Sequence, residues 1–260
     1  MTKTLAGVIH LPPLPGSPRS SLSTPECARS AAACARALDA AGFDAIVVEN
    51  FGDAPFFATK VPPVTVAAMT ACALAVHEAA PSRALGINVL RNDAESAIAV
   101  AVASAAAFVR INVHIGARVT DQGVIEGAAA STLRLRRALG AESIAIWADV
   151  DVKHSSPLGA PRPLDQEVED LVKRGMAEAV LVTGEGTGKG VDMKKLAAVK
   201  RLAPRVLVAS GATIESMPTL APISDGVIVG TALRQGYVPG GPIDGDLAKR
   251  FAEAFRAAFG

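Results

Sequence analysis

Val206-Leu-Val-Ala-Ser-Gly-Ala-Thr213 is a short apolar run that stops abruptly at small polar residues. The same pattern occurs on either side of it, in Ala179-Val-Leu-Val-Thr-Gly184 and in Gly226-Val-Ile-Val-Gly-Thr-Ala-Leu233. Each run has the length and the content of β-branched residues that are typical of a strand buried on both faces of a parallel sheet. Because a helical pattern follows each run, the three stretches predict consecutive strand–helix units.

The alternation of strand-like and helix-like segments extends along all 260 residues. Eight such units close a barrel, and about 250 residues are typical of that fold. The sequence therefore predicts an α/β protein, a (β/α)8 TIM barrel that forms a single domain over residues 1–260. The predicted strands lie near residues 4–9, 43–49, 84–89, 107–113, 143–149, 178–182, 206–210 and 225–229. The predicted helices lie near residues 24–41, 64–80, 93–106, 126–139, 164–174, 192–202, 213–221 and 243–258.

The small residues that end the last three apolar runs favour a phosphate site. Backbone N–H groups freed by glycine, together with the N-terminus of a following helix, bind anions without a basic side chain. The loops after the last two strands of such barrels commonly hold a phosphate. A tight turn explains any single one of these glycines, whereas the whole set favours the ligand site. The predicted phosphate-binding residues are Gly184, Thr187, Gly188, Ser210, Gly211, Gly230 and Thr231.

Polar side chains also follow the first five predicted strands, at the end where catalytic residues of such barrels lie. Their burial without partners would be costly, so they either tie loops together or form a reactive site. Strand alternation puts Arg110 and Asn112 on one face, and it groups Trp147 with Asp149 and, if the strand continues, with Asp151. The catalytic candidates are His10, Glu49, Asn88, Arg110, Asn112, Asp149, Lys153 and His154.

No cofactor is indicated with certainty by the sequence. A divalent metal is an open alternative, with Glu49, Asp149 and Asp151 as candidate ligands, although their spacing is not local. Lys153 has the chemistry to form a Schiff base with a carbonyl substrate, and an ion-paired lysine is an equally good interpretation.

Composition limits the partners that we expect. The net charge is +1 without a basic block, and only 4% of residues are aromatic, which argues against nucleic-acid binding. No apolar run resembles a membrane span, and the N-terminus lacks the apolar region of a signal peptide. We therefore expect a cytoplasmic protein that binds a small phosphorylated ligand and forms a homo-oligomer. Cys27, Cys34 and Cys72 lie in predicted helices and are interpreted as small buried side chains.

Longer motifs carry a family resemblance. They are Gly7-Val-Ile-His-Leu-Pro-Pro-Leu-Pro-Gly-Ser-Pro18, Val48-Glu-Asn-Phe-Gly-Asp-Ala-Pro-Phe56, Gly86-Ile-Asn-Val-Leu-Arg-Asn-Asp-Ala94, Phe108-Val-Arg-Ile-Asn-Val113, Thr120-Asp-Gln-Gly123, Ala148-Asp-Val-Asp-Val-Lys-His154, Val182-Thr-Gly184 and Val227-Ile-Val-Gly-Thr231. Together these motifs resemble the BtpA family of (β/α)8 proteins, over residues 5–245. The resemblance implies a barrel of the ribulose-phosphate-binding type. It also implies an association with photosystem I biogenesis in some members and with sugar-phosphate genes in others, but it carries no catalytic assignment.

Two classes of function remain. The first is an enzyme that acts on a phosphorylated sugar or nucleoside-like small molecule as an isomerase, epimerase, lyase or glycosidic hydrolase. In this class Asp149, Glu49 and His10 share acid–base work, and Arg110 and Lys153 stabilise negative charge. The alternative is a non-catalytic assembly or stability factor for a protein complex, as the resemblance to photosystem I biogenesis proteins suggests. Its docking surface would be the Pro-rich loops 10–23 and 50–63, whose apolar residues equally suit a pocket wall: Leu11, Leu14, Phe56 and Phe57. We favour the enzyme.

Overall fold

A computed structural model describes residues 3–184 and 190–260 of the chain. In chain order, the strands and helices are β1 (Thr4–His10), α1 (Thr24–Ala40), β2 (Ala45–Glu49), α2 (Pro63–Ala79), β3 (Ala84–Asn88), α3 (Ala94–Ala103), β4 (Phe108–Ile111), β5 (Ala117–Thr120), β6 (Gly123–Glu126), α4 (Ala129–Ala138), β7 (Ala145–Val150), β8 (Ser155–Pro157), α5 (Leu164–Lys173), β9 (Ala179–Val182), α6 (Met193–Leu202), β10 (Val206–Ala209), α7 (Met217–Leu220), β11 (Gly226–Val229) and α8 (Gly245–Phe259). Short 3-10 turns cover Phe51–Asp53, Ala221–Ile223, Thr231–Leu233 and Gln235–Tyr237.

Eight parallel strands close into a barrel in the order β1, β11, β10, β9, β7, β4, β3, β2, and β2 pairs with β1 again. This arrangement confirms the predicted (β/α)8 TIM barrel. Several predicted elements are shorter than expected. Among them, β4 ends at Ile111, and the helix expected over residues 213–221 is reduced to α7 and a 3-10 turn. Among the described residues, no helix is both long enough and apolar enough to cross a bilayer.

Aspartate and serine side chains fix several helix starts. Asp93 accepts a hydrogen bond from the backbone N–H of the third residue of α3, and Asp192 and Asp244 do the same for α6 and α8. Ser23 and Glu26 form a reciprocal capping box at α1. Because each side chain satisfies a donor that the helix leaves free, these residues define where the helices begin.

The apolar residues form one layer inside the barrel and one between the strands and the helices. Trp147 fills the interior and stacks on Phe108 with ring centroids 3.7 Å apart. Gly86 makes room for this pair, since a Cβ at that position would lie 2.2 Å from the Phe108 ring. The wide interior is therefore closed below the carboxyl ends of the strands, and the space above it stays open for a site.

A small antiparallel sheet was not expected from the sequence. The hairpin β5–β6 pairs Ala117 with Glu126 and Thr120 with Gly123, and β8 pairs with the other edge of β5. Ile125 of β6 packs with Val113 and Val152, and this contact attaches the hairpin to the barrel. The hairpin thus forms an extra wall beside the loops after β4 and β7.

The two Pro-rich loops pack on each other. Asp53 accepts a hydrogen bond of 2.8 Å from the backbone N–H of Leu14, and Gly52 lies against Pro13 so closely that a Cβ would be 2.4 Å from the Pro13 nitrogen. Leu11 and Leu14 are buried in the outer core, so the expectation that they form an exposed docking surface is wrong. The contact between the loops requires their burial.

Candidate active site

A cavity of about 920 Å³ opens at the carboxyl ends of the barrel strands. The strand ends of β1, β2, β4, β10 and β11 supply its floor. The walls come from the Pro-rich loop after β2, the β5–β6 hairpin, the segments after β7, β10 and β11, and the start of α8. Ten residues predicted for the site line it, namely His10, Glu49, Arg110, Asn112, Lys153, His154, Ser210, Gly211, Gly230 and Thr231. Most of the site prediction therefore converges on one space.

A buried ion pair lies at the floor. Arg110 donates from Nη2 to Asp149 Oδ2 at 3.0 Å and from Nε to Oδ1 at 3.3 Å, and Asn112 Nδ2 donates to Oδ2 at 2.7 Å. The strand register explains this contact. Arg110 pairs with Trp147, and the residues two positions further along the two segments, Asn112 and Asp149, come next to each other on the same face. The Asp149 side chain is fully buried, and both of its oxygens are engaged. Asp149 therefore orients the Arg110 and Asn112 side chains from below the floor of the cavity.

Glu49 is the carboxylate beside this pair. Its Oε2 accepts a hydrogen bond of 2.6 Å from Asn88 Nδ2 and lies 4.0 Å from Arg110 Nη1. Its Oε1 lies 3.9 Å from His10 Nε2. A carboxylate, a guanidinium and an imidazole therefore meet within 4 Å at the floor, and Asn88 fixes the orientation of the carboxylate.

His10 is held in one orientation by its neighbours. Its ring stacks on Phe51 with centroids 4.3 Å apart, and its Nδ1 accepts a hydrogen bond of 3.3 Å from the Gly240 N–H. Burial, assisted by the positive charges of Arg234, Lys153 and Arg110, lowers the pKa of His10 to about 3. The ring is therefore neutral near pH 7, and because Nδ1 accepts, Nε2 carries the hydrogen. That N–H faces the floor and Glu49.

Lys153 lies between the floor and the phosphate cup predicted at the ends of the last strands. Its Nζ is 3.3 Å from Ser210 Oγ, and Arg91 donates to its backbone oxygen at 3.0 Å. Burial and the nearby Arg110 charge lower the pKa of Lys153. His154, the next residue, is exposed with a φ of +58° and contributes only to the rim.

The cup itself consists of the residues after β10 and β11. Ser210 and Gly211 have positive φ values of +125° and +79°, and this turn bends the chain over the end of β10. Gly230 packs against His10, where a Cβ would lie 2.9 Å from Nε2. Gly184 is buried after β9, while Thr187 and Gly188 lie outside the described residues. Four of the predicted cup residues thus line the cavity.

The three candidate metal ligands do not come together. β7 ends at Val150, and Asp151 turns away with a φ of +52° to pair with Arg118 and Lys195. The other two candidates, Glu49 and Asp149, are on opposite sides of a guanidinium, which repels cations. Within residues 3–184 and 190–260, no group of three His, Cys, Asp or Glu residues is arranged to hold a metal ion.

Phe56 lines the cavity, in agreement with the interpretation of its loop as a pocket wall. Other lining residues were not among the predicted site residues, namely Phe51, Leu90, Arg91, Asp121 and Gln122. They belong to loops and to the unexpected hairpin, where no periodic pattern marks a side chain as inward. Asn112 and Gln122 line the cavity, and each carries a buried amide oxygen, Oδ1 and Oε1, that has no hydrogen-bond partner within the described residues. Only the fold brings these two residues to the same space.

Comparisons with known proteins agree with this architecture. A protein of Thermococcus kodakarensis is 43% identical over 90% of this chain and 87% of its own length, and Photosystem I biogenesis protein BtpA of Synechocystis is 42% identical over 88% and 79%. The fold is similar to that of N-(5'-phosphoribosyl)anthranilate isomerase from Pyrococcus furiosus, with a TM-score of 0.57, 11% identity and coverage of 98% and 99%. It is also similar to KGPDC from Streptococcus mutans, with a TM-score of 0.59, 10% identity and full coverage of both chains. The model of the BtpA family matches residues 1–257, and the chain belongs to that family.

Proposed function

We propose that the chain is an enzyme that acts on a phosphorylated sugar compound by general acid–base chemistry. The observation that carries the proposal is the position of Glu49 on the floor of the cavity, within 4.0 Å of both the His10 imidazole and the Arg110 guanidinium. Ionisable groups held this closely in a cleft are typical of reactive sites. The likeness to barrels named as phosphoribosylanthranilate isomerase and KGPDC is compatible with such a substrate.

The substrate's phosphate lies in the cup. Ser210, Gly211, Gly230 and Thr231 offer backbone N–H groups and hydroxyls at the end of the barrel where phosphates commonly bind. Lys153 adds a positive charge next to Ser210, which strengthens the attraction for an anion. The cup therefore fixes one end of the substrate, and the sugar extends over the floor.

Glu49 is the general base of this proposal. In an isomerisation it removes a proton from the carbon next to a carbonyl, and negative charge develops on the carbonyl oxygen. Arg110 and the neutral N–H of His10 stabilise that oxygen. Glu49 then returns the proton to the former carbonyl carbon, and the proton of the adjacent hydroxyl passes to the former carbonyl oxygen as the new carbonyl forms. Asp149 and Asn88 act as positioning residues, because they hold Arg110 and Glu49 without facing the substrate. The same groups suit the cleavage of a glycosidic bond.

The test is a calorimetric titration with ribose 5-phosphate, ribose and inorganic phosphate. We expect saturable binding of the sugar phosphate and no binding of free ribose. Lys153→Met should weaken binding by about tenfold or more, since it removes a charge-assisted contact. Lys173→Met, at an exposed lysine of α5, is the matched control and should leave the affinity unchanged. Absence of binding by every phosphorylated compound would refute the proposal.

Turnover separates the enzyme from the second candidate, an assembly or stability factor, which the name of the Synechocystis relative favours. Proton exchange into ribose 5-phosphate in deuterated water, followed by NMR, reports the chemistry of Glu49 directly. Glu49→Gln should abolish the exchange while the sugar phosphate still binds. A chain that binds no small ligand and exchanges no proton would instead support the assembly factor.

A further inference from the structure

The cavity extends across the barrel from the phosphate cup. In the order of the strands around the barrel, β3 lies opposite β10 and β4 lies opposite β11. The phosphate cup follows β10 and β11, whereas Leu90 follows β3. Phe51 lies nearer to the cup, because it stacks on His10, whose ring packs against Gly230. A ligand with its phosphate in the cup therefore reaches Leu90 only if it extends across the floor.

Apolar side chains form part of the cavity wall. Phe51, Phe56, Leu90 and Val152 present aromatic and aliphatic surface to the cavity, next to polar residues of the hairpin and of the loop after β3. His10 holds the Phe51 ring by stacking at 4.3 Å. A flat ring buries more apolar surface here than a sugar phosphate does, because aromatic and aliphatic side chains bind the faces of planar groups.

Asn112 and Gln122 line the same space. Asn112 is only 4% exposed, and its Nδ2 is bound to Asp149, which directs Oδ1 away from that carboxylate. Gln122 lies at the tip of the β5–β6 hairpin, and its Nε2 donates to Asp121. The oxygens Asn112 Oδ1 and Gln122 Oε1 are both buried and have no partner among the described residues. Rotation of either side chain towards the cavity would let an N–H or O–H group of a ligand satisfy an acceptor whose burial without a donor is costly.

We infer that the substrate is a phosphorylated N-glycoside, a sugar phosphate whose anomeric carbon carries a planar nitrogen-containing ring, as in a nucleoside monophosphate. The apolar wall receives the ring, and Gln122 accepts a hydrogen bond from an N–H on its edge. The cavity volume of about 920 Å³ suits a ligand of this size, since pockets for such molecules span about 300–1,000 Å³. This inference rests on the proposed function, because it places the phosphate in the same cup.

The experiment is calorimetric titration of the full chain with AMP, GMP, CMP, UMP and ribose 5-phosphate. We expect at least one nucleotide to bind tenfold or more tightly than ribose 5-phosphate. Phe56→Ala and Gln122→Ala should each reduce that ratio about fivefold and leave the affinity for ribose 5-phosphate unchanged. Two neighbours serve as matched controls that should keep the full ratio: Phe57→Ala, at a side chain that is 56% exposed, and Val124→Ala, at a side chain of the same hairpin that is 45% exposed.

The outcomes separate the two proposals. Equal affinities for ribose 5-phosphate and all four nucleotides, or binding of ribose 5-phosphate alone, would overturn the inference and leave the proposed function standing. Failure of every phosphorylated compound to bind the wild-type chain would overturn both. A nucleotide preference that survives in Phe56→Ala and Gln122→Ala, with both variants folded by circular dichroism, would also overturn the inference, since it requires these side chains to read the ring.

Discussion

At the scale of single residues, Arg110 decides whether the floor of the site is stable. It joins two carboxylates, with Asp149 in direct hydrogen bonds and Glu49 at 4.0 Å. Removing one partner of a buried ion pair leaves the other charge uncompensated, which costs about 3–5 kcal/mol. The desolvation cost of the buried guanidinium is offset only while both carboxylates remain.

Asp149→Asn should therefore lower the free energy of unfolding by about 3 kcal/mol, because the new amide cannot accept from Arg110 and Asn112 at both positions. Urea unfolding followed by circular dichroism measures the change. Glu253→Gln, at an exposed carboxylate of α8, is the control and should stay within about 0.5 kcal/mol of the wild type. A similar small change in Asp149→Asn would mean that the pair adds nothing to stability.

His10 should make the stability of the folded chain sensitive to acid. Its pKa is about 3 in the folded state, against 6.5 for a free side chain. Above about pH 6.5 the ring is neutral in both states and contributes no pH dependence. As the pH falls from 6.5 towards 3, the unfolded chain binds a proton that the folded chain does not, so the free energy of unfolding decreases by up to about 1.4 kcal/mol per pH unit.

The measurement for His10 is urea unfolding at about pH 7.5 and pH 5.5, for the wild type and for His10→Asn. Other titrating groups, including His114 and His154, are present in both proteins and cancel in the comparison. The wild type should lose more stability than the variant on acidification. Parallel losses would show that His10 is not the group that remains neutral.

Residue-scale prediction from the sequence worked where strand alternation applied. Arg110, Asn112 and Asp149 were expected to face inward, and they contact one another at the floor. The same rule failed for Asp151, because the chain turns there with a φ of +52°. Asn112 and Asp151 each lie one residue beyond a strand, and the sequence does not mark which of the two chain segments turns.

At the scale of elements, the two Pro-rich loops act as one wall because Gly52 allows them to touch. A Cβ at this position would lie 2.4 Å from Pro13 N and 2.8 Å from Leu11 O. Both atoms belong to the backbone, which cannot yield as a flexible side chain can. The contact also sets the positions of Phe51 and Phe56 on either side of Gly52.

Gly52→Ala should consequently cost about 1–3 kcal/mol of unfolding free energy and weaken the binding of the preferred nucleotide, whose ring the Phe51 and Phe56 side chains contact in the inference above. Gly245→Ala is the control, because no atom lies within 4 Å of a Cβ there and alanine suits the first turn of α8. Thermal unfolding and calorimetric titration give the two readouts. An unchanged melting temperature in Gly52→Ala would show that the loops adjust without strain.

The strands of the barrel were predictable and the hairpin was not, for the same physical reason. A strand buried on both faces is a continuous apolar run, which stands out in any sequence. β5 and β6 are only partly buried, and their residues mix charged, polar and apolar side chains. The signal that was available is local: Val119 and Val124 flank Asp121-Gln-Gly123, where Gly123 has a φ of +96° as a tight turn requires.

At the scale of the whole molecule, closure of the sheet links the two ends of the chain. β1 pairs with both β2 and β11, so the first strand cannot leave without opening the barrel on two sides. Apolar interior residues from all parts of the chain meet in one layer, including Val8, Trp147 and Ile228. Loss of any one strand exposes this layer, and partial unfolding is therefore costly.

We accordingly predict that the chain unfolds as one unit, in line with the single domain expected from its length. Trp147 is the only tryptophan, it is buried, and it stacks on Phe108 from the neighbouring β4, so its fluorescence reports the interior. Far-UV circular dichroism reports the helices outside. In urea the two signals should change over the same concentration range, because neither layer persists without the other. A fluorescence transition at lower urea than the loss of helix would reveal a half-open barrel and contradict the coupling that closure implies.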